Sequence, residues 1–205
     1  MVDDDPATRQ GFSYSVRRAK REPVDVGPSL GTLRNYLDKP FLADAAIIDQ
    51  NLRPSGYASF EGAELVAEWY QRGIPAVLCT RFDKSQANFM VPYRRWMPVV
   101  MSPDDLDPAS LLTGIEGSLK EIEGSFSVER KPWRSQVHFV SFDHESRMAF
   151  VEIPAWGSGT IGFRHSNLPK WMPRGKNITG ERYHAQVNLG AEHLEDLYVY
   201  DWERP

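Results

Sequence analysis

Residues 1–124 alternate short apolar runs with stretches of helical periodicity, and this alternation restricts the possible folds more than any other feature of the sequence. Four apolar runs have the length and composition of strands: 24–26, 45–48, 76–79 and 98–101. Elsewhere apolar residues recur every three or four positions, most clearly in 61–72 and 108–122. Strands that alternate with helices form βαβ units with parallel strands. We therefore predict a parallel sheet packed against helices in this part of the chain.

The helical periodicity fades after Gly124, and the rest of the chain has the pattern of a β-rich domain. Its strand candidates are separated by glycine, proline, asparagine and charged turns. They are 136–142, 148–153, 160–163, 183–187 and 197–200. We predict two domains: residues 1–124 belong to the α/β class, and residues 125–205 form a small antiparallel sheet, sandwich or barrel.

Composition and charge argue against several classes of protein. The 205 residues carry a formal charge of −4 and have a pI near 5.8, which disfavours general binding to nucleic-acid phosphates or anionic membranes. A single cysteine, Cys79, rules out an internal disulfide framework and is typical of a reducing compartment. The sequence has no signal-peptide pattern and no apolar run long enough to cross a bilayer. We therefore expect a cytoplasmic protein without a membrane partner.

Acidic residues follow two apolar segments, at the position where a parallel sheet opens into a ligand crevice. Asp49 ends the second apolar run, and Asp3 and Asp4 follow Val2 at the start of the chain. If Val2 lies beside that run in the sheet, all three carboxylates reach one crevice. Clustered carboxylates repel one another and are typical ligands of a hard divalent cation. Thr80, at the end of the next run, would add a hydroxyl to the same site.

Each of these residues also has a plain structural interpretation. Taken singly, Asp49 could start a turn. Asp3, Asp4 and Asp5 could be a frayed acidic terminus, or could cap a helix that begins at Pro6. Their combined placement at the ends of apolar runs favours the shared site.

The order and spacing of these segments, over roughly the first 120 residues, resemble those of the receiver domains of bacterial two-component response regulators. The matching stretches are VDDDPATR, AAIIDQNLRPSG, EGAELVAEW, IPAVLCT and VVMSPDDLDPASLL. The resemblance implies a flavodoxin-like doubly wound fold, with a five-stranded parallel sheet and helices on both faces. It also implies that a histidine kinase or a phosphotransfer protein transfers a phosphoryl group to an aspartate.

The resemblance assigns a role to each candidate site residue. Asp49 would be the nucleophile and phosphoacceptor, and the Thr80 hydroxyl would donate to a phosphoryl oxygen. Asp3, Asp4 and Asp49 would hold Mg²⁺, with the backbone carbonyl of Asn51 as a further ligand. The residue types suit this chemistry, because a carboxylate attacks an electron-rich phosphorus only when a cation neutralises the developing charge.

Two of the departures from the receiver pattern bear directly on the candidate site. Receivers carry a lysine before a proline at the end of the fifth strand, and here the dipeptide is Ser102-Pro103. Arg53, Arg81 and Lys84 lie in neighbouring loops and are candidate substitutes for the missing cation. The first strand is also short, because only Met1 and Val2 precede the acidic pair, whereas a strand usually has about five residues.

The second domain lacks the features of a DNA-binding output domain. It offers few helical segments and a nearly balanced charge, so DNA binding is not expected. Its five histidines have no zinc-motif spacing. Arg130 and Arg134 form an R-x-x-x-R pattern that resembles the start of PilZ domains, which bind cyclic di-GMP.

The leading interpretation is therefore a response regulator that signals through a non-DNA-binding β-rich domain to an unknown output partner, either as a monomer or as a homodimer. One alternative is a degenerate receiver that acts as a phosphorylation-independent interaction module. Another is a nucleotide-binding or catalytic β-domain, for which the sequence shows no recognisable nucleophile–base set.

Overall fold

The computed structural model describes residues 1–81, 90–157, 159–173 and 175–204. The chain divides into two compact units. The first comprises Met1–Phe82 and Trp96–Ser125, and the second comprises Asp83–Arg95 and Phe126–Pro205. The second unit therefore includes a short stretch, residues 83–95, that lies within the sequence of the first.

The first unit contains helices and strands in alternation. Its described elements, in chain order, are α1 (Pro6–Arg18), α2 (Leu33–Leu37), β1 (Ala46–Ile48), α3 (Gly62–Gln71), β2 (Ala76–Cys79), β3 (Val100–Met101) and α4 (Pro108–Ile122). The strands lie in the order β1-β2-β3 and are parallel, with Ala46 opposite Ala76 and Leu78 opposite Val100. This confirms the prediction that the apolar runs 45–48, 76–79 and 98–101 contain neighbouring parallel strands, although only Val100–Met101 of the third run lies in a strand.

The apolar composition of β1 and β2 follows from their surroundings. Every residue of both strands is buried, as expected for parallel strands that are covered on both faces. Phe12 of α1 and Leu111 of α4 pack with Ile47 and Cys79 in one cluster. The long helices start where the sequence provides caps: the Asp5 carboxylate accepts from the Ala7 and Thr8 N–H groups at α1.

Two extended segments continue the sheet beyond β1 without forming assigned strands. Val2 makes a single parallel bridge to Ile48, in which the Val2 N–H donates to Ile47 O at 2.9 Å. Met1 is bonded in turn to the segment 24–26, because its amine donates to Val24 O at 2.6 Å. The predicted strand at 24–26 is not formed as a ladder, because among the described residues its backbone pairs only with the backbone of Met1.

The second unit is a curled antiparallel sheet. Its strands are β4 (Trp133–Asp143), β5 (Met148–Glu152), β6 (Thr160–Arg164), β7 (Arg182–Val187) and β8 (Val199–Glu203), in the order β6-β5-β4-β7-β8. This confirms the five strand predictions and resolves them as one antiparallel sheet. Alternate residues point into a shared core, for example Val137 and Phe139 of β4. No α-helix lies in the described part of residues 126–204.

No α-helix in the described ranges is long and apolar enough to span a bilayer.

A buried asparagine joins three backbone segments of the second unit. Asn188 is fully buried, and its Nδ2 donates to Glu129 O at 3.1 Å and to Asp196 O at 3.0 Å. Its Oδ1 accepts from the Tyr198 N–H at 2.7 Å. All three bonds satisfy backbone groups, so loss of this one side chain leaves the buried Tyr198 N–H and two partly buried carbonyls without these bonds.

Asn188→Ala should therefore lower the free energy of unfolding by about 2–4 kcal/mol, since each unpaired buried group costs about 1–3 kcal/mol. Urea denaturation measures this change. Asn167→Ala is the matched control, because Asn167 is exposed, and we expect a change within about 0.5 kcal/mol there. Equal effects of the two substitutions would contradict the assigned role of Asn188.

Candidate functional site at the carboxyl edge of the parallel sheet

Asp49 and Thr80 follow neighbouring parallel strands. Asp49 comes directly after β1, and Thr80 comes directly after β2. Because β1 and β2 run in the same direction with Ile48 opposite Leu78, both residues lie at the carboxyl edge of the sheet. The structure thus places the predicted nucleophile and the predicted hydroxyl donor at one edge.

Asp3 and Asp4 reach this edge through Val2. The Asp49 N–H donates to Val2 O at 2.8 Å, so the residues after Val2 lie beside Asp49. Asp3 is only 4% exposed. Its pKa is raised to about 6, chiefly by burial and also by the carboxylates of Asp49 and Asp4, against the lowering effect of a bond from the Asp5 N–H.

The pKa of Asp49 is also raised. Burial is the main cause, and the carboxylates of Asp4 and Glu61 add to it, while bonds from the Asn51 and Gln50 N–H groups oppose it. One of these bonds is short: the Asn51 N–H donates to Asp49 Oδ2 at 2.7 Å. No cation is among the groups that principally shift the pKa of Asp3 or Asp49 in the described part of the chain.

These raised pKa values predict that, without divalent cations, the carboxylate cluster lowers the free energy of unfolding by an amount that depends on pH. The pKa of folded Asp3, about 6, lies above its ordinary value of 3.8, so stability falls as the pH rises through this window. Asp3→Asn should remove the cost, and its Oδ1 can still accept from the Asp5 N–H. We expect the variant to be about 1–2 kcal/mol more stable than wild type at neutral pH, after allowance for solvent screening.

This difference should shrink as the pH falls from about 6 toward 4, because the wild-type carboxyl becomes protonated in the folded chain over this range. Thermal unfolding across pH 4 to 8, with chelator present, measures it. Asp38→Asn is the control, since Asp38 is exposed and lies outside the cluster. A variant that is less stable than wild type at neutral pH would contradict the proposed repulsion.

The amino end of α3 holds the loop after Asp49 in place. The Gly62 N–H donates to Gln50 O at 3.0 Å, and the buried Gln50 Oε1 accepts from the Ala63 N–H at 3.0 Å. The contact is so close that a Cβ on Gly62 would lie 2.0 Å from Asp49 O. Gly62 and Gln50 were not predicted as site residues. A glycine at the first position of a helix is the only signal of this approach in the sequence.

Thr80 carries a buried hydroxyl without an acceptor. The residue is 2% exposed, and Thr80 Oγ1 has no hydrogen-bond partner among the described residues. Its backbone is fixed, because the Thr80 N–H donates to Met101 O at 2.9 Å. Buried unpaired hydroxyls are costly and are often found at functional sites.

The candidate substitutes for the receiver lysine have other contacts. Ser102 follows β3, and its Oγ accepts from the Asp104 N–H at 3.2 Å, which caps the 3₁₀ turn Pro103–Asp105. Arg81 lies 3.6 Å from Asp104, with both side chains largely exposed. Arg53 pairs with Glu64 at 2.5 Å. Lys84 lies outside the described residues.

Arg9 is a further site residue that the sequence did not suggest. It lies on α1, and its Nη1 donates to the backbone carbonyl of Asp3 at 2.6 Å. Its Nε also lies 2.7 Å from the Asp25 carboxylate. The guanidinium therefore holds the backbone at the start of the acidic segment. Because its contact is to a carbonyl, it does not neutralise the carboxylates directly.

The chemistry of the cluster fits Mg²⁺ better than a softer metal. Its groups are carboxylate and carbonyl oxygens, which hard divalent cations prefer, and their mutual repulsion decreases when a cation binds. Among the described residues, however, no three histidine, cysteine, aspartate or glutamate side chains form a group that could hold a metal ion. The Mg²⁺ site with Asp3, Asp4, Asp49 and Asn51 therefore stays a prediction.

The two arginines of the R-x-x-x-R pattern have partners within the second unit. Arg130 donates to Arg94 O at 3.1 Å and to Arg95 O at 3.0 Å. Arg134 makes two bonds to the Glu203 carboxylate, at 2.8 and 2.7 Å. Both side chains thus have structural roles, which gives no support to a nucleotide site at these residues.

Comparison with protein-family models, with curated proteins and with solved structures finds no match to this chain.

Proposed function

We propose that the first unit is a receiver-like domain in which Asp49 accepts a phosphoryl group from a histidine kinase or a phosphotransfer protein. The observation that carries the proposal is that the carboxylates of Asp3, Asp4 and Asp49 affect one another's charge at the sheet edge where the buried Thr80 hydroxyl lies. The hydroxyl lacks an acceptor among the described residues, and an incoming phosphoryl oxygen would supply one.

The backbone connections of the first unit support a doubly wound arrangement. The segment 24–26 is bonded to Met1, Val2 is bonded to β1, and β2 and β3 follow. Numbered along the chain, this order is 2-1-3-4-5, which is the flavodoxin-like order. Ligands of such sheets bind at the carboxyl ends of the strands, beside the first and third segments. Asp3 and Asp49 lie at these two positions.

In the proposed reaction an oxygen of Asp49 bonds to phosphorus. The bond between phosphorus and the donor atom breaks, and its electron pair leaves with the donor. Asp49 must be ionised to attack, and burial with the neighbouring carboxylates raises its pKa and opposes ionisation. The Asn51 N–H stabilises the ionised form through its bond to Asp49 Oδ2. Thr80 donates to an oxygen of the transferred group.

Mg²⁺ would neutralise charge on the carboxylates and on the phosphoryl oxygens. Asp3, Asp4 and Asp49 would hold it, with the backbone carbonyl of Asn51. Asp3 is fixed for this role by the bond from Arg9 to its carbonyl.

A second candidate function is a degenerate receiver that binds a partner without taking phosphate. Ser102 favours it, because this residue caps a turn and has no positive charge that could pair with a phosphoryl group. In either case the second unit would act as the output module, contacting an unidentified protein or a second copy of the chain. Arg130 and Arg134 do not favour a nucleotide-binding output, since both are bonded within the unit.

The test is transfer of label from a radioactive small acyl-phosphate donor in the presence of Mg²⁺. We expect label on the wild-type chain that hydroxylamine releases, because hydroxylamine cleaves acyl phosphates and leaves phosphoesters intact. Chelator should prevent labelling. Absence of label under conditions that label an ordinary receiver would favour the degenerate module.

A further inference from the structure

Glu61 lies immediately before α3, and its carboxylate accepts bonds from the loop that follows Asp49. Glu61 Oε2 accepts from the Leu52 N–H at 3.0 Å and from the Arg53 N–H at 3.4 Å. The backbone of Glu61 is itself held, because its N–H donates to Glu64 Oε2 at 2.7 Å. The Glu61 side chain therefore ties the start of α3 to the loop beside the candidate site.

The bond to Leu52 fixes the direction of the Asn51 carbonyl. The two residues are joined by a trans peptide bond, in which the N–H and the C=O point in opposite directions. Since the Leu52 N–H points to the Glu61 carboxylate, the Asn51 carbonyl oxygen points away from that carboxylate. Glu61 thus controls the orientation of the carbonyl that is proposed as a ligand of Mg²⁺.

The peptide group before Asn51 is fixed as well. The Asn51 N–H donates to Asp49 Oδ2 at 2.7 Å, and the carbonyl of the same peptide group, Gln50 O, accepts from the Gly62 N–H at 3.0 Å. The planes on both sides of Asn51 are therefore held, and its backbone has little freedom to rotate. Glu61 is not among the proposed ligands, so its part in this arrangement can be tested separately.

A role as helix cap alone does not explain a glutamate at this position. Serine, threonine, aspartate and asparagine are the side chains preferred at a helix N-cap. The charge is also unfavourable here, because the pKa of Asp49, raised mainly by burial, is raised further by the Glu61 carboxylate. The length of the side chain does explain it. An aspartate would be shorter by one carbon–carbon bond, about 1.5 Å, and would not reach the Leu52 N–H.

We propose that Glu61 is a positioning residue of the metal site: by accepting from the Leu52 N–H, it orients the Asn51 carbonyl as a ligand of the divalent cation. The inference rests on the proposed function, because it requires the Mg²⁺ site at Asp49. Residues that orient metal ligands typically change metal affinity about 10- to 100-fold when they are removed. Glu61 acts only through the peptide group of Asn51 and contacts neither the cation nor the phosphoryl group.

Two substitutions separate the length of the Glu61 side chain from its charge. Glu61→Gln keeps the length and an acceptor oxygen, and removes the charge. Glu61→Asp keeps the charge and is a favourable helix cap, but shortens the side chain. We expect Glu61→Gln to bind Mg²⁺ within about threefold of wild type at physiological ionic strength, where screening weakens the effect of one charge. Glu61→Asp should bind Mg²⁺ about 10- to 100-fold more weakly.

NMR of the isotopically labelled full chain measures these effects, because one correlation reports the Leu52 N–H together with the Asn51 carbonyl carbon. Mg²⁺ alone is titrated, without a phosphodonor. The Asn51 carbonyl resonance should shift at similar Mg²⁺ concentrations in wild type and Glu61→Gln, and only at higher concentrations in Glu61→Asp. Without Mg²⁺, amide exchange at Leu52 should be about tenfold faster in Glu61→Asp than in wild type, and unchanged in Glu61→Gln.

Equal Mg²⁺ affinity in wild type and Glu61→Asp would overturn the inference, and so would equal weakening by the two substitutions. Neither result would contradict phosphoryl transfer to Asp49. If Mg²⁺ does not bind the wild-type chain, or binds without shifting the Asn51 carbonyl resonance, Asn51 is not a ligand. In that case both the inference and the metal site of the proposed function would be wrong.

Discussion

Gly62→Ala should lower the free energy of unfolding by about 2–4 kcal/mol, the cost of forcing a methyl group into a packed site where little can give way. The new Cβ would lie 2.0 Å from Asp49 O and 2.8 Å from Asp49 C. Both atoms belong to the backbone, so the clash can be removed only if α3 moves away from the end of β1. That movement would also break the bond from the Gly62 N–H to Gln50 O. We therefore expect two effects: the fold loses stability, and Asp49 moves from its position at the end of β1.

Gly117→Ala is the matched control for this substitution. Gly117 lies inside α4, and its Cβ would meet Val99 at an ordinary contact of 3.9 Å. Since alanine is the better helix former, this variant should gain about 0.5–1 kcal/mol. Urea denaturation followed by tryptophan fluorescence measures both variants. Comparable destabilisation by the two substitutions would show that the contact between α3 and Asp49 is not as close as described.

Thr80→Val should separate stability from activity. Valine has nearly the shape of threonine and removes a buried hydroxyl that has no partner among the described residues, so we expect a gain of about 1–2 kcal/mol in unfolding free energy. Phosphoryl transfer to Asp49 should nevertheless slow by about 100-fold, the usual cost of removing one donor to a developing anion. A residue that only packs would show the first effect without the second.

Thr80→Ser provides the control, because it keeps the hydroxyl and loses a methyl group. It should retain transfer within about tenfold of wild type while losing roughly 1 kcal/mol of stability. The rates are compared by single-exponential labelling with the same donor and Mg²⁺ concentration. If Thr80→Val transfers as fast as wild type, the hydroxyl has no role at Asp49.

The strands of the first unit were predictable because burial on both faces demands an apolar residue at every position. This holds for β1 and β2 in full. It fails at β3, where the run 98–101 gives a strand of only Val100–Met101. Pro98 has no N–H to donate to a ladder, so its apolar character did not translate into strand structure.

Nothing in the sequence indicated that residues 90–95 belong to the second unit. Val91 packs against the core of that unit, and the Arg95 guanidinium lies 5.0 Å from the ring centroids of Phe126 and Tyr200. These contacts join residues that are far apart in the chain. Local periodicity reports which face of an element is apolar, and it carries no information on which core receives that face.

The residue types of the candidate site could be predicted from the sequence, but the residues that hold them in place could not. Asp49 and Thr80 are marked by their positions at the ends of apolar runs. Gly62, Gln50 and Arg9 act through backbone atoms of other residues, and such contacts depend on how the chain returns to the sheet edge. Sequence patterns do not specify these approaches.

We propose that Asp49 is the phosphoacceptor of a site completed by its neighbouring carboxylates. Intact-mass measurement after incubation with a small acyl-phosphate donor tests it most directly. We expect a gain of one phosphoryl group on the wild-type chain, dependent on Mg²⁺, absent from Asp49→Asn and retained by the control Asp143→Asn in the second unit. No mass gain in wild type, or an equal gain in Asp49→Asn, would contradict it.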